Sequence, residues 1–341
     1  MEQKVSPQFV QTSLAASLTL GFQQGSFHRN AKLKGLNLLL HYDEGCLGKC
    51  HFCGLSRSRQ DAPRGKTFIR VDWPLYPLEE IIERMKGKEQ IHRVCLSMIT
   101  HPKALEDTVY VIGRLRRGTD LPISVLIAPT LIRYDDSLAA IKKAGADRVG
   151  IAIDAATPEL FDRLRGKGVG GPHQWEHYWD VVRMAVNVFG RFHAGIHLIV
   201  GLTETEEQMV AAIQKGQSMG ALTHLFSFFP EKGSPMEKHP SPPLGQYRRI
   251  QLARWIINEG LGSASQMKFD EKERSIDFGM DVEPLIQTGE AFMTSGCPGS
   301  DGKVACNRPY GNERPSEPIR NFPFMPEKED IEEVKRQLEM K

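Results

Sequence analysis

Long apolar runs are missing from this 341-residue chain. None approaches the ~20 residues that a membrane-crossing helix needs, so no membrane span is expected. A surplus of either charge is missing too. Lys and Arg total 44 against 42 Asp and Glu, a net charge of +2. That balance gives no electrostatic case for binding nucleic acid or a membrane surface. The first stretch, MEQKVSPQFVQTSLAASLTLGF, breaks its apolar residues with Gln, Thr and Ser and is not expected to act as a signal peptide. No stretch rich in Gly, Ser or Pro divides the chain into separate domains, and no low-complexity tract appears. Cysteine is scarce, six in all, and three of the six fall within eight residues. Such crowding points to a metal cluster in a reducing cytoplasm rather than to a disulfide scaffold.

What is present is a series of short β-rich runs. They lie at 36–42, 92–99, 122–129, 148–155, 194–201 and 222–229. Each is nearly continuous in apolar residues, as parallel strands buried on both faces should be. Helical patterns such as ALEDTVYVIGRLRRG and QWEHYWDVVRMAVNVFG lie between them, and several end in a capping Gly. Repeated strand–helix units predict an α/β fold, a parallel (β/α) TIM-type barrel. A complete (β/α)8 barrel is the first choice, with QMKFD and EAFMTSG as its seventh and eighth strands. A six-unit partial barrel is the second. Residues 1–34 read as a helical lead-in whose Leu18, Leu20 and Phe22 cap a core. Residues 35–296 form the barrel, and 297–341 form a carboxyl-terminal extension over its mouth, ending in a charged amphipathic helix. Barrel active sites sit at the carboxyl ends of the strands, so chemistry is sought there.

The stretch His41–Arg59, HYDEGCLGKCHFCGLSRSR, follows the first strand and holds Cys46, Cys50 and Cys53. Three thiols on a tight loop converge easily on one cuboidal centre, and thiolates are the ligands of iron–sulfur clusters. A cluster of four irons with three protein thiolates keeps one iron open for chemistry. The alternative is a structural zinc loop or a redox-sensing trio. Zinc sites take four ligands in two spaced pairs, and no second pair lies nearby.

C-x3-C-x2-C, with the aromatic Phe52 before the third Cys, resembles the motif of the radical S-adenosylmethionine (SAM) superfamily. The resemblance implies a [4Fe-4S] cluster on Cys46, Cys50 and Cys53. Its open iron would chelate SAM, and an electron from it would release a 5′-deoxyadenosyl radical. The resemblance also implies SAM contacts at the other strand ends. Ser97, Thr100 and His101 would meet the amino group, although His101 serves equally as a helix cap. Asp154 would accept from a ribose hydroxyl, unless it caps the next helix, for which Thr157 before Pro158 is the better residue. Arg165 would pair with the methionine carboxylate or else be solvated. GIHLIVGLTETEEQ resembles the G-x-I-x-G-x-x-E pattern from Ile199 onward, with His197 in place of the first Gly. Gly201 there would let the backbone approach the adenosine. Phe228 and Phe229 resemble the segment against the adenine, with core packing the alternative.

Cys95, Cys297 and Cys306 remain. A lone buried Cys95 would ordinarily be a small core hydrophobe, and the other two could form a zinc clip or loop staple. HRVCLSMITHPK resembles the biotin synthase segment that ligates an auxiliary cluster, yet PISVLIAP and AGIHLIVG lack that enzyme's further cysteines. The ending SGC…CNRPYGNERP…RNFP resembles the two-protein lipoyl synthases of archaea and some bacteria. That implies a sulfurtransferase acting on an octanoyl chain of a lipoyl-carrier protein or peptide. It also implies an auxiliary iron–sulfur cluster on Cys95, Cys297 and Cys306 as sulfur donor, a second synthase protein as partner, and a low-potential electron donor. A radical mutase, lyase or maturase of the hydrogenase-maturation or methylornithine type is the alternative within enzymes. A non-catalytic iron–sulfur protein is the alternative outside them.

Overall fold

The computed structural model describes residues 3–59, 67–68, 71–310 and 317–339. The GNERPS stretch at 311–316, part of the carboxyl-terminal signature, therefore lies outside the described residues. In chain order the strands are β1 Phe9–Thr12, β2 Gly35–Leu40, β3 Thr67–Phe68, β4 Val71–Asp72, β5 Leu75–Pro77 and β6 Arg93–Ser97. There follow β7 Ile123–Ile127, β8 Arg148–Asp154, β9 Ala194–Val200, β10 Ala221–Ser227, β11 Lys268–Phe269 and β12 Ser275–Asp277.

Eight strands make one sheet, ordered β10-β9-β8-β7-β6-β2-β1-β5. From β10 to β2 every pair is parallel, and a helix covers each crossover. These six strands are the six β-rich runs of the sequence. Residues on both faces of β2 are buried, and so are most on β7. Burying each such Leu, Ile or Val contributes roughly 1.5–3 kcal/mol. The main hydrophobic core runs between this sheet and helices Ala104–Gly118, Trp175–Phe189 and Leu244–Asn258, with Ile112, Val181 and Ile256 fully buried. Gly145 and Gly190 follow two helices at φ 125° and 101°, where other residues would be strained.

The seventh and eighth barrel strands do not form among the described residues. Lys268–Phe269 pairs antiparallel with Ser275–Asp277 in a separate two-stranded ribbon. Glu290–Phe292 is a 3-10 turn, and Met293 makes only an isolated bridge to Phe322. Both runs are too short and too often broken by polar residues to sustain a ladder. The amino-terminal lead-in is also not purely helical. Phe9–Thr12 inserts as β1, antiparallel to both β2 and β5. Alternate residues Val10 and Thr12 are buried, the period of a strand rather than a helix. Helix Leu14–Thr19 follows, capped by the Ser13 side chain. Leu20 is buried as expected, and Phe22 stacks on Tyr76 at 3.7 Å.

The 297–309 segment lies at the opposite end of the sheet from the one expected. It packs under the amino ends of the strands. A methyl on Gly35, the first residue of β2, would come within 2.7 Å of the Ala305 carbonyl oxygen. Arg93, the first residue of β6, donates from Nε to the Pro298 carbonyl at 2.5 Å and grips Asp147 with both Nη atoms at 2.6 and 2.7 Å. The Asn307 carboxamide accepts from Lys34 N–H and donates to the Lys32 carbonyl. Ser295 accepts from the Leu225 N–H of β10 at 2.9 Å. The segment thus spans from β10 to β2 across the open side of the ladder. It ends up below because its loop returns to the base of the first parallel strand, not because it follows a barrel strand.

Candidate active site and metal centre

The upper cysteine loop leaves the end of β2 and is tied down on three sides. Leu47 N–H donates to the Thr100 carbonyl at the end of β6 at 2.7 Å, and His51 N–H to the Leu164 carbonyl at 2.8 Å. Met236 N–H donates to the His51 carbonyl at 3.2 Å. Gly48 N–H points at Cys46 Sγ and Leu55 N–H at Cys53 Sγ, at 3.3 and 3.4 Å. Any side chain at 48 would intrude here, since a methyl would lie 3.1 Å from His173 Nε2 and 3.3 Å from Cys46 Sγ. Burial pushes the Cys50 thiol up to about 11 and raises Cys53 as well, the nearby thiols adding to both shifts. Two thiols that resist ionising alone, Cys50 and Cys53, are suited to a cationic iron core, which favours thiolate. Among the described residues no trio of His, Cys, Asp or Glu is drawn around one point tightly enough for a single metal ion. The thiols frame a wider space.

That space is a cavity of about 290 Å³. Cys46, Cys50, Cys53 and Phe52 line its top, with Ser97, Thr100, Asp154, Arg165 and Phe229 around its wall. His101 and Gly201 stand behind that wall. The His101 ring stacks on Tyr42 at 3.7 Å, and its Nδ1 accepts from Lys103 N–H at the start of the next helix. The helix itself begins after Lys103 with no side-chain cap, so His101 braces the turn before it rather than capping it. Gly201, at φ 102°, has Pro242 against it, and a methyl there would come within 2.6 Å of that ring. The Glu204 carboxylate clamps the turn by accepting from the N–H groups of Gly201 and Leu202, both at 2.7 Å. Phe228 is buried in a small cluster with Leu164 and Leu202.

Asp154 and Arg165 turn out to be one unit. Arg165 Nη1 meets Asp154 Oδ2 at 2.5 Å and also donates to the carbonyls of Ala152 and Ile153. Arg165 is therefore buried and paired, not solvated. Thr157 caps the following helix through Leu160 N–H, which leaves Asp154 free of that duty. Asp154 holds φ at 65°, next to a register shift in β8; non-Gly residues rarely adopt this conformation. From Arg165 Nη2 the network continues to Tyr178 Oη, to His173 Nδ1 at 2.8 Å, and on to Thr130 at 2.7 Å. It reaches the cysteine loop where His173 meets Gly48. Nothing in the sequence marked His173, Tyr178 or Thr130.

The lower end of the same cavity is lined by Cys95, Cys297 and Cys306. Cys95 and Cys306 lie within hydrogen-bonding reach of each other, which lowers the first and raises the second. Arg93 and Arg308 add positive charge beside them. Arg308 lies over the Phe226 ring at 5.3 Å, and both Arg308 and His197 face this floor. Structure thus gathers the three remaining thiols from β6 and from a loop some two hundred residues later, as their number alone suggested.

The Radical SAM superfamily profile matches residues 42–215, more than half of the chain. The chain belongs to the radical SAM superfamily. The matched span begins four residues before Cys46 and carries β6 to β9 with the Asp154–Arg165 pair. Among solved structures, methylornithine synthase is similar at 16% identity, over 79% of this chain and 81% of that one, with a TM-score of 0.49. The [FeFe]-hydrogenase maturase HydG is similar at 14% identity over 72% of this chain, with a TM-score of 0.53. HydG from Carboxydothermus hydrogenoformans gives 17% identity over 72%, with a TM-score of 0.51. The chain covers 53% and 56% of the two HydG chains. At such identities the HydG likeness speaks for a shared fold alone. No curated protein sequence matches. No helix among the described residues is long and apolar enough to cross a membrane.

Proposed function

We propose that this radical SAM protein is a sulfurtransferase of the lipoyl synthase type, working in the reducing cytoplasm. The observation that carries the reading is one cavity with three thiols at each end. Cys46, Cys50 and Cys53 would hold the radical-generating [4Fe-4S] cluster; the donor set and the clearance at Gly48 fit it. Around SAM, Ser97 and Thr100 would meet the amino group, and Phe52 and Phe229 would pack against the nucleoside. Arg165 Nε is a buried donor without a partner, suited to the methionine carboxylate. Asp154 Oδ2 is held by Arg165, which leaves its other oxygen for a ribose hydroxyl. When bound, cluster and SAM supply a carbon radical able to take hydrogen from an unactivated C–H, which acid–base catalysis cannot open. Cys95, Cys297 and Cys306 would hold an auxiliary cluster as the sulfur source. The mostly apolar walls between the two sets, Met98, Val125 and Ile127 among them, would form a shared, water-poor space in which a substrate carbon reaches from one to the other.

The substrate is read as an octanoyl chain on a lysine of a carrier protein or peptide, with a second synthase protein and a low-potential electron donor as partners. The test is reconstituted protein with SAM, reductant and an octanoyl-lysine peptide, followed by mass spectrometry. A mass gain of sulfur supports the reading. SAM cleavage with rearranged, cleaved or unaltered carbon and no sulfur gain would move it to the mutase, lyase or maturase class, for which the floor thiols have no evident use.

A further inference from the structure

The hydrogen-bond chain behind the cavity wall has a direction, and it ends on the upper cysteine loop. Its first member, Arg165, can only donate. Arg165 Nη2 donates to Tyr178 Oη at 3.2 Å. With its oxygen accepting there, the Tyr178 hydrogen turns elsewhere. His173 Nδ1 lies 2.8 Å from Tyr178 Oη, and Thr130 Oγ1 lies 3.4 Å away. The nearer atom, Nδ1, takes the hydrogen. Thr130 Oγ1 adds a second hydroxyl 2.7 Å from the same nitrogen. Burial and the Arg165 charge lower His173 to about 3, so the ring is neutral. A neutral imidazole that accepts at Nδ1 carries its hydrogen on Nε2.

Nε2–H is aimed at the cysteine loop. A methyl added to Gly48 would lie 3.1 Å from Nε2, 3.3 Å from Cys46 Sγ and 3.8 Å from Cys50 Sγ. The ring nitrogen and two sulfurs thus look onto one small volume. His173 lines the cavity and is 4% exposed. Among the described residues, both of its side-chain hydrogen bonds are at Nδ1. A buried N–H is normally paired, and the acceptors facing this one are sulfurs. We infer that His173 Nε2–H donates to the Cys46 sulfur of the upper cluster and raises that cluster's reduction potential. This rests on the upper-cluster reading alone and not on sulfur transfer. Reduction adds negative charge to the cluster, so a donor to its sulfur favours the reduced form. Hydrogen bonds of this kind are among the levers on iron–sulfur potentials. Tyr178 and Arg165 are positioning residues, since they hold the tautomer. Arg165 is also paired with Asp154, so the same chain joins the SAM-facing wall to the cluster.

The experiment uses full-length chain with Cys95, Cys297 and Cys306 replaced by Ala, loaded with iron and sulfide and kept free of SAM, so that only the upper set is filled. Midpoint potentials are measured by EPR-monitored redox titration for this parent, His173→Phe, His173→Gln and Tyr178→Phe. Phe at 173 removes the donor, and Gln keeps an N–H at the reach of Nε2. His173→Phe should shift the midpoint to a more negative potential at unchanged iron content. His173→Gln should restore most of that shift, and Tyr178→Phe should give a smaller shift in the same direction. With histidine labelled at its ring nitrogens, pulsed EPR of the reduced parent should show a nitrogen coupling that His173→Gln loses. An unchanged potential in His173→Phe overturns the inference, whatever becomes of SAM affinity. A coupling that persists in His173→Gln belongs to another histidine and overturns it too. A parent that binds no iron overturns the upper-cluster reading as well. If His173→Phe fails to fold, the parent's pulsed EPR decides: absence of a histidine coupling overturns the assignment.

Discussion

The two cysteine sets of this protein line one cavity and were built in opposite ways. The upper set is local. Cys46, Cys50 and Cys53 share one loop, and their spacing alone brings three sulfurs together. The floor set is assembled. Cys95 comes from the middle of β6, and Cys297 and Cys306 come from a loop that returns under β2. A local set carries its geometry in a short motif and can be recognised before anything folds. An assembled set exists only after the sheet has formed and the loop has been pinned by Arg93 and Asn307. The upper set should therefore tolerate changes elsewhere in the fold, and the floor set should not.

The largest effect is expected from the upper set. Replacing Cys46, Cys50 or Cys53 by Ala should abolish 5′-deoxyadenosine production from SAM. Normal production from any single variant would sink the assignment. Replacing Cys95, Cys297 and Cys306 together should split the functions. Iron should fall by about half, as expected for loss of one of two four-iron clusters. SAM cleavage should persist while thiolated product disappears. A triple variant that retains its full iron and still thiolates an octanoyl peptide would remove the distinction between the two sets.

A smaller effect is expected at the wall between them. Asp154→Asn leaves the Arg165 guanidinium buried beside a neutral partner. Removing one member of a buried ion pair costs about 3–5 kcal/mol of stability, and a lost hydrogen bond to a charged group weakens SAM by about 1.5–3 kcal/mol. Calorimetry should show the weaker binding alongside a lowered melting temperature. Unchanged SAM affinity with lowered stability would make Asp154 a purely structural partner of Arg165. The smallest effect concerns the turn after β9. Burial pushes the Glu204 carboxyl up to about 7, against the pull of its backbone N–H donors. Its folded pKa lies above its unfolded value, so its contribution to stability is full below about 4.5. That contribution is lost as pH rises to about 7. Glu204→Gln should flatten this part of the stability–pH curve without changing cysteine-bound iron. An unaltered slope in urea titrations at pH 5 and 7.5 would refute it.

Much of the fold was legible because its signal is dense. Each of the six parallel strands is an apolar run buried on both faces, and the helix between two strands has its own period. β1 was not legible as a strand, since FVQT is short and its partners lie far along the chain. QMKFD and EAFMTSG looked like barrel strands for the same local reason, yet the first pairs only in a short ribbon with Ser275–Asp277 and the second only in an isolated bridge at Met293. At the site, the C-x3-C-x2-C spacing announced itself, and Thr157 before Pro158 correctly marked the helix cap. The Asp154–Arg165 pairing was hidden, because a helix lies between the two residues. The end of the sheet on which Cys297 and Cys306 sit was read wrongly from the assumption of an eighth strand. A His in GGPHQ carries no local mark at all. Its place in the Arg165–Tyr178–Thr130 network comes from neighbours that only folding supplies.

The anchoring of Asn307 to Lys32 and Lys34 has a consequence for how the protein is made. Synthesis runs from the amino terminus, and domains begin to organise as they emerge. The upper cysteines and all six parallel strands are translated well before Cys297 and Cys306. Until the last stretch leaves the ribosome, the base of the nascent sheet has no cover, and Cys95 faces solvent from below. The final loop thus brings two of the floor thiols and the cover of the base together, after which Asn307 fastens the chain's late segment to its early one.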